Sequence, residues 1–236
     1  MPRYAAVDIG SNSIRMLAAE VMPGASSRTL ASSRQVTRLG ESVFRSGRIS
    51  QAAMDLSCNV LASMAQEFRR AEVIGIRAVG TSALRDASNR DEFIRRASAA
   101  LETHVEVISG QEEARLIHLG VQTRWPHPKQ RILIADVGGG SAELILSEKG
   151  RLVEAFSKQL GAVRLNELFV KEDPPGARAL RRLEEYIQER IVVAVRHFGT
   201  APYNRVIATS ATAAAIVCAV NRVPRAKRDT ADRLQA

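Results

Sequence analysis

The sequence predicts an α/β protein with mixed sheets, built from two related halves. Three observations lead there. Residues 131–146, RILIADVGGGSAELIL, read as strand, tight glycine turn and strand: an apolar run ends in Asp136, then Gly138, Gly139, Gly140 and Ser141 follow, and the apolar pattern resumes at Leu144. Residues 4–20, YAAVDIGSNSIRMLAAE, repeat that pattern. A shift of 128 positions carries Asp8 onto Asp136, Gly10 onto Gly138 and Ser13 onto Ser141. From each copy onward the periodicities run through strands and helices in an α/β order.

The two copies carry a chemistry. Glycine takes positive φ without steric cost, so consecutive backbone N–H groups can turn inward and line an anion site. Ser141 adds a hydroxyl, and Asp136, at a strand end, is placed to hold a divalent cation against a phosphate. A single glycine turn is equally what a tight hairpin uses. Two of them suggest two phosphate loops on related halves, facing one ligand across a cleft. The symmetry breaks at one position, where Arg15 corresponds to Glu143, so the two loops are expected to have different jobs.

The 236 residues suffice for one large or two medium domains. Hydrophobic residues make up 45% and aromatic residues 4%, which predicts a core of Ala, Val, Ile and Leu. The net charge of +9 favours a polyanionic partner, although a solvated arginine-rich surface gives the same number. Cys58 and Cys218 have no metal-ligand spacing and fit a reducing cytosol. Pro2 and Arg3 lead straight into the first strand, so no signal peptide is expected, and no apolar run has the length of a membrane helix.

In chain order, the first hairpin is followed by a turn within residues 21–33, marked by Pro23 and Gly24. A strand is expected over 34–39 and a loop over 40–47. A helix over 51–72 is capped by Ser50, with Met54, Leu61, Met64 and Phe68 on its core face. A strand over 73–79 leads into a loop or helical turn, a helix over 89–101, a short strand at 105–108 and a helix over 111–122. Trp125, Pro126, His127 and Pro128 punctuate the chain, which places the domain boundary between 1–125 and 126–236. Beyond the second hairpin come a strand over 152–159, a turn at Pro174, Pro175 and Gly176, and a helix over 177–198. That helix carries Leu180, Leu183, Ile187, Ile191 and Val195 on one face. A strand over 206–208 and a helix over 213–220 follow, then a basic, polar end. The four histidines are scattered without i, i+4 pairing, so no histidine metal site is expected.

Glu112 and Glu113 open a helix, where a carboxylate ordinarily stabilises the positive end of the dipole. The functional alternative makes one of them a general base on water. Glu143, two residues past the second loop, is another candidate. Arg85 follows a strand end, where its planar fork suits an oxyanion; it could equally be one of many surface arginines.

Four segments together decide between these readings. DIGSNS (8–13), TSALRDASN (81–89), ISGQEEARL (108–116) and DVGGGSAEL (136–144) occur in this order in the exopolyphosphatase and guanosine pentaphosphate phosphohydrolase (Ppx/GppA) family, which the chain resembles from residue 4 to about residue 220. The resemblance implies a duplicated actin-like/Hsp70-like ATPase fold, of the ribonuclease H-like type. It implies that Asp8, Gly10, Ser11, Asn12 and Ser13 form the first phosphate loop, and Gly138, Gly139, Gly140 and Ser141 the second. Asp136 lies near Mg²⁺, Glu113 is the base that activates water, Glu143 is a second acidic residue of the site sharing the metal, and Arg85 grips the phosphate chain.

Two departures from the family pattern stand out. Ala208 and Ala211 put methyl groups where relatives of this fold carry glycines against a nucleotide base, which disfavours tight nucleotide binding and an ATP-dependent kinase. The chain also stops soon after its last helix, so the second half is expected to lack the further helical sequence that completes it in the family. The expectation is a cytoplasmic, Mg²⁺-dependent enzyme that removes terminal phosphate from inorganic polyphosphate. Hydrolysis of guanosine pentaphosphate is the alternative, and a non-catalytic polyphosphate or alarmone sensor is a rival of another class. Neither nucleic acid nor membrane is expected as a partner, and the resemblance suggests a homodimer.

Overall fold

The computed structural model describes residues 1–22 and 27–224, arranged as two compact units, Met1–Ser109 and the chain from Gly110 onward.

The first unit runs β1 (Arg3–Ile9), β2 (Ser13–Glu20), β3 (Arg28–Val36), α1 (Leu39–Ser46), α2 (Gln51–Arg70), β4 (Gly75–Gly80), α3 (Ser82–Asp86), α4 (Arg90–Leu101) and β5 (Val105–Val107). Its sheet has the order β3-β2-β1-β4-β5. β1 pairs antiparallel with β2 and parallel with β4. Alternation on the hairpin puts Ala5, Val7 and Ile9 with Ile14, Met16 and Ala18 on one face. That face is buried in one core with Met54, Leu61, Met64 and Phe68 of α2 and Phe93, Ala97 and Leu101 of α4. Ser50 caps α2, accepting from Ala53 N at 3.3 Å.

Two expectations are corrected here. Residues 40–47 form most of a helix, α1, not a loop. Gly40 suggested a turn, but its role is close approach: a Cβ there would lie 2.6 Å from Phe44 Cε2 and 3.0 Å from Ser11 Cβ. Leu39 and Val43, one turn apart, are buried, and Gly47 ends the helix at φ 73. The third strand begins at Arg28, earlier than the expected 34, and ends at Val36. Its mostly exposed, polar residues carry no apolar alternation to read. The turn marks Pro23 and Gly24 lie outside the described residues.

The second unit runs α5 (Gly110–Arg124), β6 (Arg131–Val137), β7 (Ala142–Glu148), β8 (Arg151–Lys158), α6 (Ala162–Phe169), α7 (Ala177–Phe198), β9 (Arg205–Thr209) and α8 (Ser210–Val220). Its sheet order, β8-β7-β6-β9, repeats β3-β2-β1-β4. The antiparallel hairpin and the parallel third partner repeat as well. This is the duplicated actin-like architecture that the resemblance implies.

The second sheet is packed on both faces, which explains the continuous apolar runs of β6 and β7. Ile132, Ile134, Ile145 and Ile207 meet Ala114 and Val121 of α5. Leu133, Leu144, Leu146 and Phe156 meet Ala194 and Phe198 of α7. Two boundaries shift as a result. The division between units falls before α5, at Ser109/Gly110, not at Trp125/Pro126, because the apolar side of α5 belongs to the second core. On α7, Leu180 and Val195 are exposed, at 46% and 58%, and the packed side runs to Ala194 and Phe198.

Candidate active site

The two glycine turns have the same construction. Gly10 N donates to Ser13 O at 3.1 Å, and Gly138 N donates to Ser141 O at 3.0 Å. In each unit the segment after the third strand then takes up the loop carbonyls. Thr37 N and Arg38 N both donate to Asn12 O, and Gly40 N donates to Ser11 O at 2.7 Å. In the second unit, Ala162 N donates to Gly138 O, Arg164 N to Gly139 O, and Arg164 Nε to Gly140 O at 2.7 Å.

With three consecutive carbonyls held by α6, the Gly139 and Gly140 N–H groups are left without a hydrogen bond among the described residues. Fixed carbonyls and open N–H groups are the arrangement of a preorganised anion site. The approach of α6 is close: a Cβ at Gly161 would lie 2.3 Å from Gly140 N and 2.4 Å from Gly139 C.

The carboxylates gather beside the second loop. Asp136 and Glu143 are direct cross-strand partners on β6 and β7. Thr209, the next partner of Asp136 on β9, donates Oγ1 to Asp136 Oδ2 at 2.6 Å. Glu143 is 1% exposed, and Ser157 Oγ donates to its Oε1 at 2.7 Å. Burial first, then the charge of Glu113, push the Glu143 carboxyl up to about 8. The Ser157 and Ser141 hydroxyls pull it down, and Asp136 adds to the rise.

Glu113 reaches Glu143 because α5 lies on β7 and β8, with Gly110 so close to β8 that a Cβ would fall 2.4 Å from Ser157 Oγ. The neighbouring Glu112 has a different setting: both of its carboxylate oxygens take bonds from Arg115, at 2.7 and 2.8 Å. The first unit holds the remaining candidates. Asp8, Gly10, Ser11, Asn12 and Ser13 form its loop, and Arg85 on α3 donates Nη1 to Ile108 O at 3.0 Å at the end of β5.

No group of three potential metal ligands comes together among the described residues. The pair Asp136 and Glu143 nevertheless suits a hard cation: both offer oxygen, and two adjacent carboxylates with Glu113 nearby repel one another unless a positive charge joins them. Mg²⁺ is commonly held by one or two carboxylates, with substrate phosphate and water completing its shell.

Several residues escaped the sequence reading. Ser157 and Thr209 flank Glu143 and Asp136 only through strand register. Arg164 and Gly161 act through a helix whose role no local pattern announces. His118 and His127, scattered in sequence, meet at Ser147, with each Nε2 2.9 Å from its Oγ.

The chain is similar to known proteins. Residues 18–233 match the Ppx/GppA phosphatase family. A solved exopolyphosphatase from Cytophaga hutchinsonii is 29% identical with a TM-score of 0.85, covering 93% of this chain and 71% of its own. A solved exopolyphosphatase-like protein is 29% identical with a TM-score of 0.87, at 94% and 70% coverage. A Ppx/GppA family member from Aquifex aeolicus is 27% identical with a TM-score of 0.74, at 95% and 71%.

Proposed function

The chain belongs to the Ppx/GppA phosphatase family, and from that premise we propose that it hydrolyses the terminal phosphoanhydride of inorganic polyphosphate. The observation that carries the reading is the buried Glu143, set between Asp136 and Ser157 with Glu113 close enough to raise its proton affinity, all beside a loop of open N–H groups. A pure binder of phosphate has no need of crowded carboxylates, since they repel the ligand.

Glu113 accepts the proton of the attacking water. Of the two neighbouring glutamates it is the one whose charge acts on Glu143, whereas both oxygens of Glu112 take bonds from Arg115. Gly139 and Gly140 N–H groups receive the phosphoryl oxygens, where fixed donors stabilise charge without reorganising. Asp136 and Glu143 would hold Mg²⁺, with Thr209 and Ser157 orienting their carboxylates. Charge on the phosphate oxygens would be offset by that cation. Within the first unit, the first loop and Arg85 are the groups read as binding phosphate.

Inorganic polyphosphate is favoured over guanosine pentaphosphate by Ala208 and Ala211, which stand where a base would need glycine, and by the net charge of +9. The enzyme is read as cytoplasmic from its reduced-type cysteine usage; no helix among the described residues is long and apolar enough to cross a membrane. The test is phosphate release from long-chain polyphosphate with Mg²⁺, in the parent protein and in Glu113→Gln. Release by the parent that Glu113→Gln abolishes supports the reading. Equal release by both moves the base elsewhere, and none by the parent removes the assignment.

A further inference from the structure

The duplication relates the residues beside the two loops strand by strand. In the second unit Glu143 stands opposite Asp136 on one side and Ser157 on the other. In the first unit the same place is held by Arg15, opposite Asp8 on β1 and opposite Arg34 on β3. Where the second unit collects carboxylates, the first sets two guanidinium groups side by side at its loop. Like charges directly opposite on antiparallel strands repel. The Arg34 guanidinium accordingly loses some proton affinity, through burial first and then the charge of Arg15.

Neither arginine has an ion-pair partner among the described residues. Arg34 instead donates Nε to Ser13 Oγ at 3.2 Å, which fixes its fork against the last residue of the loop. Its two Nη groups make no hydrogen bond among the described residues. The loop also carries Ser11 Oγ, buried and without a partner, in a residue 3% exposed. A cationic pair with no ion-pair partner among the described residues, set at a phosphate loop, is satisfied by one kind of ligand: an anion with several charged oxygens.

We propose that Arg34, together with Arg15, binds a phosphate group of a multi-phosphate substrate at the first loop. The first unit then carries charge recognition at its own loop. This rests on the functional reading above and adds to it a specificity residue, Arg34, that no motif marks.

The experiment uses the full chain with Glu113→Gln, so that ligand is bound and not consumed, and long-chain inorganic polyphosphate as the probe. Affinity is measured over a KCl series, with and without Arg34→Gln or Arg34→Lys. Arg34→Gln should weaken binding about tenfold at low salt, the size expected for a lost charge-assisted contact. It should also lower the slope of log affinity against log salt by about 0.7, the loss of one released counterion. Arg34→Lys should restore the slope. Weakened binding with an unchanged slope would mean that Arg34 only positions Ser13, and would overturn the proposal. So would binding indifferent to Arg34→Gln, or an Arg34→Lys protein that also loses the slope. If the parent binds no polyphosphate at all, the functional reading itself falls.

Discussion

Two neighbouring glutamates divide the labour at the mouth of α5. Glu112 is spent on Arg115, whereas Glu113 faces the buried Glu143. Replacing Glu113 by Gln keeps the shape and removes the proposed base, so turnover should fall about 10²–10⁴-fold while polyphosphate binding persists. Single-turnover kinetics and a binding titration separate the two effects. Glu143 makes a second prediction, on stability. Its folded pKa of about 8 lies above the ordinary value of 4.5. Between those pH values the native state holds a proton that the unfolded state has released, so its contribution to stability falls as pH rises. Without divalent cation, Glu143→Gln should therefore match the parent in melting temperature near pH 4.5 and exceed it near pH 8. Added Mg²⁺ should raise the melting point of the parent more than that of the variant. A gap that does not grow with pH would show that Glu143 is ionised in the native state.

At the scale of elements, the loop is only as good as the helix behind it. α6 holds the carbonyls of Gly138, Gly139 and Gly140, and Gly161 permits the approach. Gly161→Ala would drive a methyl into the loop backbone, which has no flexible side chain to yield. About 1–3 kcal/mol of stability should be lost, and turnover should drop with it, as read by urea denaturation and phosphate release. A destabilised protein with full turnover would show that the loop does not need α6. The buried His118 gives this unit a pH response of the opposite sign to that of Glu143. Burial and the nearby His127 hold its pKa below the usual value. Its contribution is present above the unfolded pKa of about 6.5 and is lost as pH falls below it. His118→Gln should flatten the acid side of the stability profile; an unchanged acid limb would assign that limb to other groups.

Across the whole chain, the repeat of Asp, Gly and Ser at a fixed offset was enough to reveal two sheets of one design, because a tight turn between strands requires those residue types at that spacing. The loops were legible for the same reason, whereas the roles of Glu113 and Glu143 came from the family resemblance. α1 was hidden because Gly40 serves close packing where a turn was the local reading. The placement of α5 in the second unit was hidden because its apolar side matches a core assembled from strands that come later in the chain. Arg34, Ser157 and Thr209 became visible only through register, which sequence alone does not specify.

The proposed substrate is a phosphoanhydride chain, not a nucleotide. The direct measurement is kcat/KM for phosphate release from long-chain polyphosphate and from guanosine pentaphosphate, side by side, with Mg²⁺ at low ionic strength. Polyphosphate should be the better substrate, with an advantage that shrinks as KCl is added, because a basic protein of net charge +9 gains from a long polyanion through counterion release. More efficient turnover of guanosine pentaphosphate, with little dependence on salt, would contradict it.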